Sequence, residues 1–467
     1  MISSAEDAEQ AVRNAVKAGR RISVRSGGHC LSDFVSNPEI EAILDLSEMN
    51  TIAYDPTLRA IAIGPGAHLL DVYETLYKRW GLTIPGGFCE GIGLGGHVAG
   101  GGHGLLSRAH GLAADHLYAV EVVVNDSPGQ VRRVIATREE SDPNHDLWWA
   151  HTGGGGGNFG IVTRYWFRSP GAAGSDAADQ LVSPPETVLV SALEFPWDGL
   201  TETGFTRLVQ NYASWHEHNS DPGSPYRGLC SVFTVNHRAR GTLSMLTQID
   251  GSIPNAHRLL DDYLHAIQAG SAAAPKPVPG YERPLELPWL RANRMICTSE
   301  VGMMNPTFRA AHKSAFMNKT FSAQQMATLY RYMSAADFHN PNTMLTMISY
   351  GGQINAIPPN TTASVQRSAT FTMFFQTYWA DAGDDSFYLD WIRRLYQEFF
   401  ATTGGVPAPG CCYINCPDND LTDPTWNRSG IPWHALYFQD NYPRLQQAKR
   451  RWDPTNFFHH RLSIDTG

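Results

Sequence analysis

Residues 85–104 read PGGFCEGIGLGGHVAGGGHG. Half of these twenty residues are glycine. Glycine has no side chain, so its backbone can approach another group closely or adopt positive φ. Neither a hydrophobic core nor an ordinary turn needs this density of glycine. We therefore expect the segment to pack its backbone around a flat, polar ligand.

Two further glycine-rich segments lie on either side of this one. Residues 25–29 read RSGGH and end a short predicted strand, so their backbone N–H groups can face an anion such as pyrophosphate. Residues 148–162 read WWAHTGGGGGNFGIV, where five glycines run into a predicted strand. The residues alone leave two alternatives open, a tight turn ending in a surface histidine at His29 and a buried structural thiol at Cys89.

The remaining pattern predicts an α+β fold, because helices and strands alternate too irregularly for a doubly wound sheet. The clearest strands are 117–124 and 160–167, which are rich in β-branched and aromatic residues. Ser4 and Asp7 form a capping box at the start of a helix over 4–18. Further strands are predicted at 21–25, 42–46, 60–63, 187–194, 228–235, 242–249, 344–350 and 370–378, and helices at 69–79, 256–268 and 385–402.

Composition excludes several classes of protein. The chain has 467 residues, 42% of them hydrophobic and 17% charged, which indicates a globular protein with more than one core. A net charge of −9 argues against a nucleic-acid partner. No apolar run is long enough for a membrane helix, and residues 1–6 lack the basic and apolar pattern of a signal peptide, so the predicted location is cytoplasmic or unassigned. Seven cysteines without CxxC spacing predict neither a disulfide framework nor a metal site.

The motifs together resemble a known family. RSGGH at 25–29, Cys89 sixty positions after His29, NFGIV at 158–162 and YINCPD at 413–418 occur in the order found in the berberine-bridge-enzyme-like branch of the vanillyl-alcohol-oxidase flavoproteins. WDP at 452–454 and NFF at 456–458 match the terminal signature of that branch. The chain is similar over nearly its whole length to bacterial bicovalent oxidases of secondary metabolism, including glycopeptide hexose oxidases.

The resemblance implies a two-domain FAD-linked oxidase. Residues 1–183 would form the first part of an FAD-binding domain, 184–405 a substrate domain with an antiparallel sheet covered by helices, and 406–467 a return to the FAD-binding domain. FAD would be held covalently, through the flavin 8α-methyl to His29 and through flavin C6 to Cys89. Two bonds would fix an exposed ring and raise its redox potential. Members of the family normally have a further strand and helix before the region that corresponds to Ser3 and Ser4.

Tyr350 is a further site residue that follows from the same resemblance, and Gln376 and Tyr378 share one face of a predicted strand. All three are predicted to line the substrate pocket, although ordinary sheet aromatics are an equal alternative. The predicted FAD-binding residues are Arg25, Ser26, Gly27, Gly28, Gly95, Gly96, His97, Gly101, Gly102, Asn158, Gly160, Ile161, Val162, Tyr413, Asn415 and Asn456.

Three residues are candidates for catalysis: Tyr413, His103 and Cys416. The family usually has tyrosine at the position of Cys416 and often at that of His103, so the base is left open between them. His103 either acts as a base with a pKa near neutrality or only lines the pocket. In the family reaction a base takes a hydroxyl proton, a hydride passes from carbon to flavin, and O2 is reduced to H2O2.

The predicted substrate is an alcohol of a sugar or of a glycosylated natural product, with further oxidation to the carboxylic acid as an option. Two alternatives stay open. One is oxidative C–C or C–N bond formation on a secondary metabolite. The other is a flavin-bearing binding protein with impaired catalysis, because of Cys416 and His103.

Overall fold

The computed structural model describes residues 1–127, 129–299, 305, 307–408 and 410–467. Its strands form two antiparallel sheets and one parallel pair, with helices packed around them. The predicted α+β class is confirmed. The domain boundaries at 183/184 and 405/406 stay predictions.

The first sheet has five strands in the order β3-β4-β7-β5-β6. The parallel pair β1-β2 lies beside it, and Ile161 of β7 shares a hydrophobic cluster with Ile22 of β1. The elements of this part are β1 (Ile22–Arg25), β2 (Ala42–Asp45), β3 (Ile52–Asp55), β4 (Ala60–Ile63), β5 (Leu117–Ser127), β6 (Gln130–Thr137), β7 (Ile161–Phe167), α1 (Ala5–Ala18), α2 (Leu69–Trp80), α3 (Leu94–Ala99), α4 (Ser107–His110) and α5 (His145–Ala150).

Local sequence explains the ends of these helices. Ser4 accepts a hydrogen bond from the Asp7 backbone N–H at 3.0 Å and caps α1, as its sequence predicts. Gly19, at φ 63°, ends the same helix in the left-handed conformation that glycine adopts without strain. Alanine and valine side chains on one face of α1 pack against β5 to β7.

The second sheet has eight strands, with the order β11-β8-β10-β9-β14-β15-β13 and β12 paired to β8. Helices cover one face of it. The elements are β8 (Thr187–Pro196), β9 (Leu229–Asn236), β10 (Thr242–Asp250), β11 (Lys276–Pro277), β12 (Leu285–Pro288), β13 (Arg309–Met317), β14 (Thr343–Ser349), β15 (Phe371–Trp379), α6 (Glu202–His218), α7 (Ala256–Gln268), α8 (Trp289–Cys297), α9 (Ala323–Met333) and α10 (Asp385–Phe399).

The C-terminal helices α11 (Trp433–Phe438) and α12 (Tyr442–Trp452) return to the first sheet, where α12 packs against β5 and α5. Lys449 of α12 is fully buried, and its Nζ donates to the backbone oxygens of Asn158 and Phe458 at 2.7 and 2.6 Å and to Asp453 at 2.7 Å. This amine joins the terminal segment to the third glycine-rich loop.

A buried arginine joins the two sheets. Arg108 follows the glycine-rich loop 85–104, and its guanidinium donates to the backbone oxygens of Tyr350 and Asn219 at 2.5 and 2.7 Å. The cavity described next therefore lies between two parts that are fixed to each other. No helix in the described ranges has both the length and the apolar character needed to cross a bilayer.

Candidate active site

A cavity of about 340 Å³ lies between the glycine-rich loops and the second sheet. On one side its wall is formed by residues 22–31, 87–89, 92, 93, 95–97, 155–157 and 160–162, and on the other by side chains of β13, β14 and β15. The turn 413–417 of the C-terminal return closes it. The three glycine-rich segments singled out in the sequence thus meet at one place.

Gly27 and Gly93 show why glycine is required where the first two loops meet. A Cβ on Gly27 would lie 2.2 Å from the Gly93 nitrogen, and a Cβ on Gly93 would lie 2.1 Å from the Gly27 nitrogen. Both distances are far below van der Waals contact, and both clashes are with backbone. Only glycine at both positions allows the loops to touch.

Gly96 and Gly156 are glycines for another reason. Both line the cavity, and a Cβ at either position would have no neighbour within 4 Å. Both positions therefore border open space. The two residues leave open space at the cavity wall, which fits a large planar cofactor such as FAD. Gly28, at φ 79°, completes the turn before His29.

His29 and Cys89 both line this cavity. His29 is partly exposed at the end of the first loop, and burial together with the neighbouring His68 lowers its pKa. Cys89 is buried, at 6% exposure, in the second loop. The two residues are 60 positions apart in the sequence, and the fold brings both to one cavity. Their covalent role stays a prediction.

The candidate bases form one cluster at the wall of the cavity. The rings of His103 and Tyr413 are 5.1 Å apart. The Tyr413 hydroxyl accepts a hydrogen bond from Asn415 Nδ2 at 2.9 Å. Burial raises the pKa of Tyr413 above its ordinary value, whereas the hydrogen bonds from Asn415 and from the Gly102 backbone lower it.

The expected near-neutral pKa of His103 is wrong. Burial lowers the pKa of His103 to about 3, because the ring is enclosed by Phe316, Tyr350, Phe374 and Tyr413. Its Nδ1 has no hydrogen-bond partner among the described residues. Burial also raises the pKa of the Cys416 thiol to about 12, so Cys416 is uncharged at neutral pH.

Several predicted site residues line the cavity directly. Gln376 does so from β15, and Asn415 does so from the C-terminal turn, where its Nδ2 also donates to the His97 backbone oxygen at 2.9 Å. The other predicted residues that line it are Arg25, Ser26, Gly27, Gly28, His29, Cys89, Gly95, Gly96, His97, His103, Gly160, Ile161, Val162, Tyr413 and Cys416.

Other predicted residues are not among those that line the cavity, and their roles stay predictions. Asn158 turns inward, donating to Gly154 and Gly155 backbone oxygens and accepting from the Ile464 N–H, so it shapes the loop. Tyr350 packs edge-on behind His103 and does not face the cavity, because the chain turns at Gly351 directly after β14. Tyr378, Gly101, Gly102 and Asn456 are likewise absent from the lining.

Sequence reasoning missed part of the wall. His312 of β13, Thr346 and Ile348 of β14 and Phe374 of β15 line the cavity beside Gln376. At the other end Phe34 stacks on His460, with ring centroids 3.9 Å apart. No local motif marks these positions, since they share a wall only through strand pairing and the C-terminal return.

Comparisons with known proteins agree with this arrangement. A profile of the FAD binding domain matches residues 1–134, and a profile described as berberine and berberine like matches residues 412–465. The chain is 46% identical to the aclacinomycin-N/aclacinomycin-A oxidase of Streptomyces galilaeus, over 99% of this chain and 84% of that protein. It is 30% identical to the hexose oxidase of Chondrus crispus, over 95% of this chain and 85% of that protein.

Solved structures of relatives have the same fold. CrmK, a flavoenzyme involved in shunt product recycling in caerulomycin biosynthesis, superposes with a TM-score of 0.96 at 44% identity, covering 100% of this chain and 93% of its own. The glycopeptide hexose oxidase DBV29, complexed with teicoplanin, superposes with a TM-score of 0.93 at 43% identity, covering 99% of this chain and 92% of its own.

Proposed function

The chain belongs to the berberine-like family of FAD-linked oxidoreductases, and we propose that it oxidises an alcohol group of a sugar or of a glycosylated natural product and reduces O2 to H2O2. One observation carries this proposal. A single cavity is lined by the loops expected to hold FAD, by the cluster of Tyr413 and His103, and by polar side chains of the second sheet. Cofactor, base and substrate can therefore meet.

His29 and Cys89 are the residues that we propose bind FAD covalently. Both reach the cavity, and Gly96 and Gly156 add no side chain to its wall. When bound, FAD supplies a two-electron acceptor that O2 can reoxidise. Two attachment points would hold the cofactor in place without a lid, which leaves room for a bulky glycosylated substrate.

Tyr413 is the base that we propose for the hydroxyl proton. Its oxygen accepts hydrogen bonds from Asn415 and from the Gly102 backbone, and both stabilise the phenolate over the phenol. His103 packs against the Tyr413 ring and is uncharged above a pKa of about 3, so it brings no positive charge to the site. Cys416 stays a neutral thiol and lines the wall.

The test is peroxide release by the purified flavoprotein over a panel of sugars, oligosaccharides and glycosylated polyketides. For at least one sugar or glycoside in the panel, we expect H2O2 and a carbonyl product in equal amounts. If oxidation continues to the carboxylic acid, we expect a second equivalent of H2O2. A product with a new ring and no new carbonyl would favour C–C or C–N bond formation. Intact flavin with no turnover of any alcohol would favour the binding protein.

A further inference from the structure

His312 lies directly opposite Gln376 in the register of β13 and β15, and both side chains line the cavity. Residues opposed in this way have Cβ atoms about 4.5–5.5 Å apart. The imidazole and the amide therefore stand side by side on the sheet face that meets the cavity.

The imidazole of His312 has polar atoms that nothing in the described chain satisfies. The residue is 7% exposed, no hydrogen bond joins its ring to a described residue, and Nε2 is enclosed without a partner. Burial lowers the pKa of His312 to about 4, so the ring is neutral at pH 7 and offers one donor and one acceptor. Because Nε2 is enclosed, the ring nitrogen that a ligand in the cavity can reach is Nδ1, which is not enclosed and has no hydrogen bond to a described residue.

Gln376 offers the complementary group. Its Nε2 donates to the Tyr378 hydroxyl at 3.0 Å, which orients the amide. The carbonyl oxygen has no hydrogen bond to a described residue and is an acceptor for a hydroxyl in the cavity. One donor from the ring and one acceptor from the amide thus lie next to each other.

The spacing along β13 relates the pair to Tyr413. Ser314 is two residues beyond His312 on β13, and its hydroxyl accepts a hydrogen bond from the Tyr413 backbone N–H at 3.0 Å. Alternate residues share one face of a strand, and two residues advance it by about 7 Å. A group held by His312 is therefore about one sugar ring away from the turn that carries Tyr413.

We propose that His312 and Gln376 form a recognition pair that binds two neighbouring hydroxyl groups of a sugar ring while another carbon of the same sugar is presented to Tyr413. This inference rests on the proposed function and names the substrate feature that the site selects. The pair selects sugars with adjacent hydroxyls over deoxy sugars, since a site built around hydrogen bonds loses them with an analogue that lacks the hydroxyl. His312 is a positioning residue in this scheme.

The experiment compares His312→Leu and His312→Gln with the wild-type holoenzyme. His237→Leu is the matched control, because His237 is also buried with an unpartnered Nε2 but does not line the cavity. The probes are D-glucose and its 2-, 3- and 4-deoxy analogues. Binding is measured by calorimetry and by perturbation of the flavin spectrum, and turnover is measured by peroxide release.

We expect His312→Leu to raise the Kd and KM for glucose roughly tenfold, with kcat nearly unchanged. One deoxy analogue should bind the wild type and His312→Leu with equal affinity. That analogue lacks the hydroxyl that His312 binds, so the loss of the imidazole removes no further hydrogen bond. His312→Gln should recover most of the affinity, and His237→Leu should bind glucose as the wild type does. A loss of affinity that is the same for glucose and all three analogues would overturn the proposal.

Two other outcomes separate this inference from the proposed function. If the wild type oxidises other alcohols but binds none of the four sugars, the recognition pair is wrong and the oxidase stands. If the sugars bind through His312 but no alcohol is oxidised, the pair stands and the oxidase is wrong. Absence of both binding and oxidation would count against both.

Discussion

At the scale of single residues, two features define the site: glycines without side chains at the loops, and buried titratable side chains that stay uncharged. Gly27 and Gly93 allow two loops to touch, while Gly96 and Gly156 keep the cavity wall clear. Burial keeps His103, His312 and Cys416 uncharged at neutral pH. These neutral side chains suit a neutral alcohol substrate.

Tyr413 gives a prediction for the dependence of rate on pH. Burial raises its pKa, so at neutral pH most molecules carry the protonated phenol, and the active phenolate fraction increases tenfold per pH unit. We expect kcat/KM to rise with pH from about 6 to 9 with a slope near one. Tyr413→Phe should lower kcat by about 10²–10⁴ and abolish this slope while retaining flavin.

A flat profile in the wild type would assign the base differently. His103 is deprotonated above a pKa of about 3, so a reaction that depended on it alone would not change in rate between about pH 5 and 9. In that case His103→Phe, which keeps an aromatic ring in the packing, would remove the activity and Tyr413→Phe would not.

Substitution of Gly96 tests whether the cavity wall must stay open at this position. It lies inside α3, at a φ that other residues adopt, and a Cβ there meets no atom. Gly96→Leu should therefore leave the free energy of unfolding within about 1 kcal/mol of the wild type when flavin is absent from both, since glycine is the poorer helix former. The ratio of flavin to protein absorbance should fall severalfold. A full complement of flavin in this variant would contradict the account of the wall.

Part of the site can be predicted from sequence at this scale and part cannot. His29, Cys89 and the glycines belong to local motifs, so their place at the cavity follows from the segments that contain them. His312 belongs to RAAHKSAFM, which has no motif, and reaches the cavity only because β13 pairs with β15 in a register that sets it opposite Gln376. Tyr350 lies against His103 and outside the cavity lining, and its role toward the substrate stays a prediction.

At the scale of elements, the C-terminal return holds the third glycine-rich loop. Lys449 lies on α12 and Asp453 directly follows that helix, and both side chains are fully buried. The Asp453 carboxylate also accepts hydrogen bonds from the backbone N–H groups of Phe457 and Phe458. The amine and the carboxylate depend on each other, because either one alone would be a buried charge.

Lys449→Met should lower the free energy of unfolding by about 3–5 kcal/mol, because it leaves the Asp453 carboxylate buried without its partner. Lys449→Met with Asp453→Asn should be less destabilised than the single variant, since the amide is neutral and still accepts a hydrogen bond. Urea unfolding measures both. The control is Arg394→Met, which removes an exposed i,i+4 pair with Asp390 and should cost less than about 1 kcal/mol. Equal losses in Lys449→Met and Arg394→Met would contradict the anchoring role.

The elements that sequence predicts are those with strong local preferences. Strands β5, β7, β9 and β10 are rich in β-branched residues, and α1 has a cap, an apolar face and a terminal glycine. Strand β13 was missed because alanine, lysine and histidine have weak strand preference, and its neighbour β15 imposes the strand by pairing along its whole length. Helix α6 was missed although its apolar face is buried against the second sheet.

At the scale of the whole molecule, the active site combines segments that lie far apart in the sequence. Loops from the first third of the chain form one side of the cavity, and three strands from the middle of the chain form the other side. The C-terminal turn places Tyr413 between them. Arg108 and the buried Arg367–Asp115 pair, 2.7 Å apart, fix the glycine-rich part to the second sheet. Such a frame keeps an open cleft in one shape.

The most direct test of the central claim is the absorption spectrum of the purified protein before and after acid precipitation, together with peptide mapping. We predict that the yellow colour stays with the pellet and that flavin-bearing peptides contain His29 and Cys89. His29→Ala and Cys89→Ala should each keep one bond, and the double variant should release its flavin to the supernatant. Flavin that washes out of the wild-type pellet would contradict the bicovalent account.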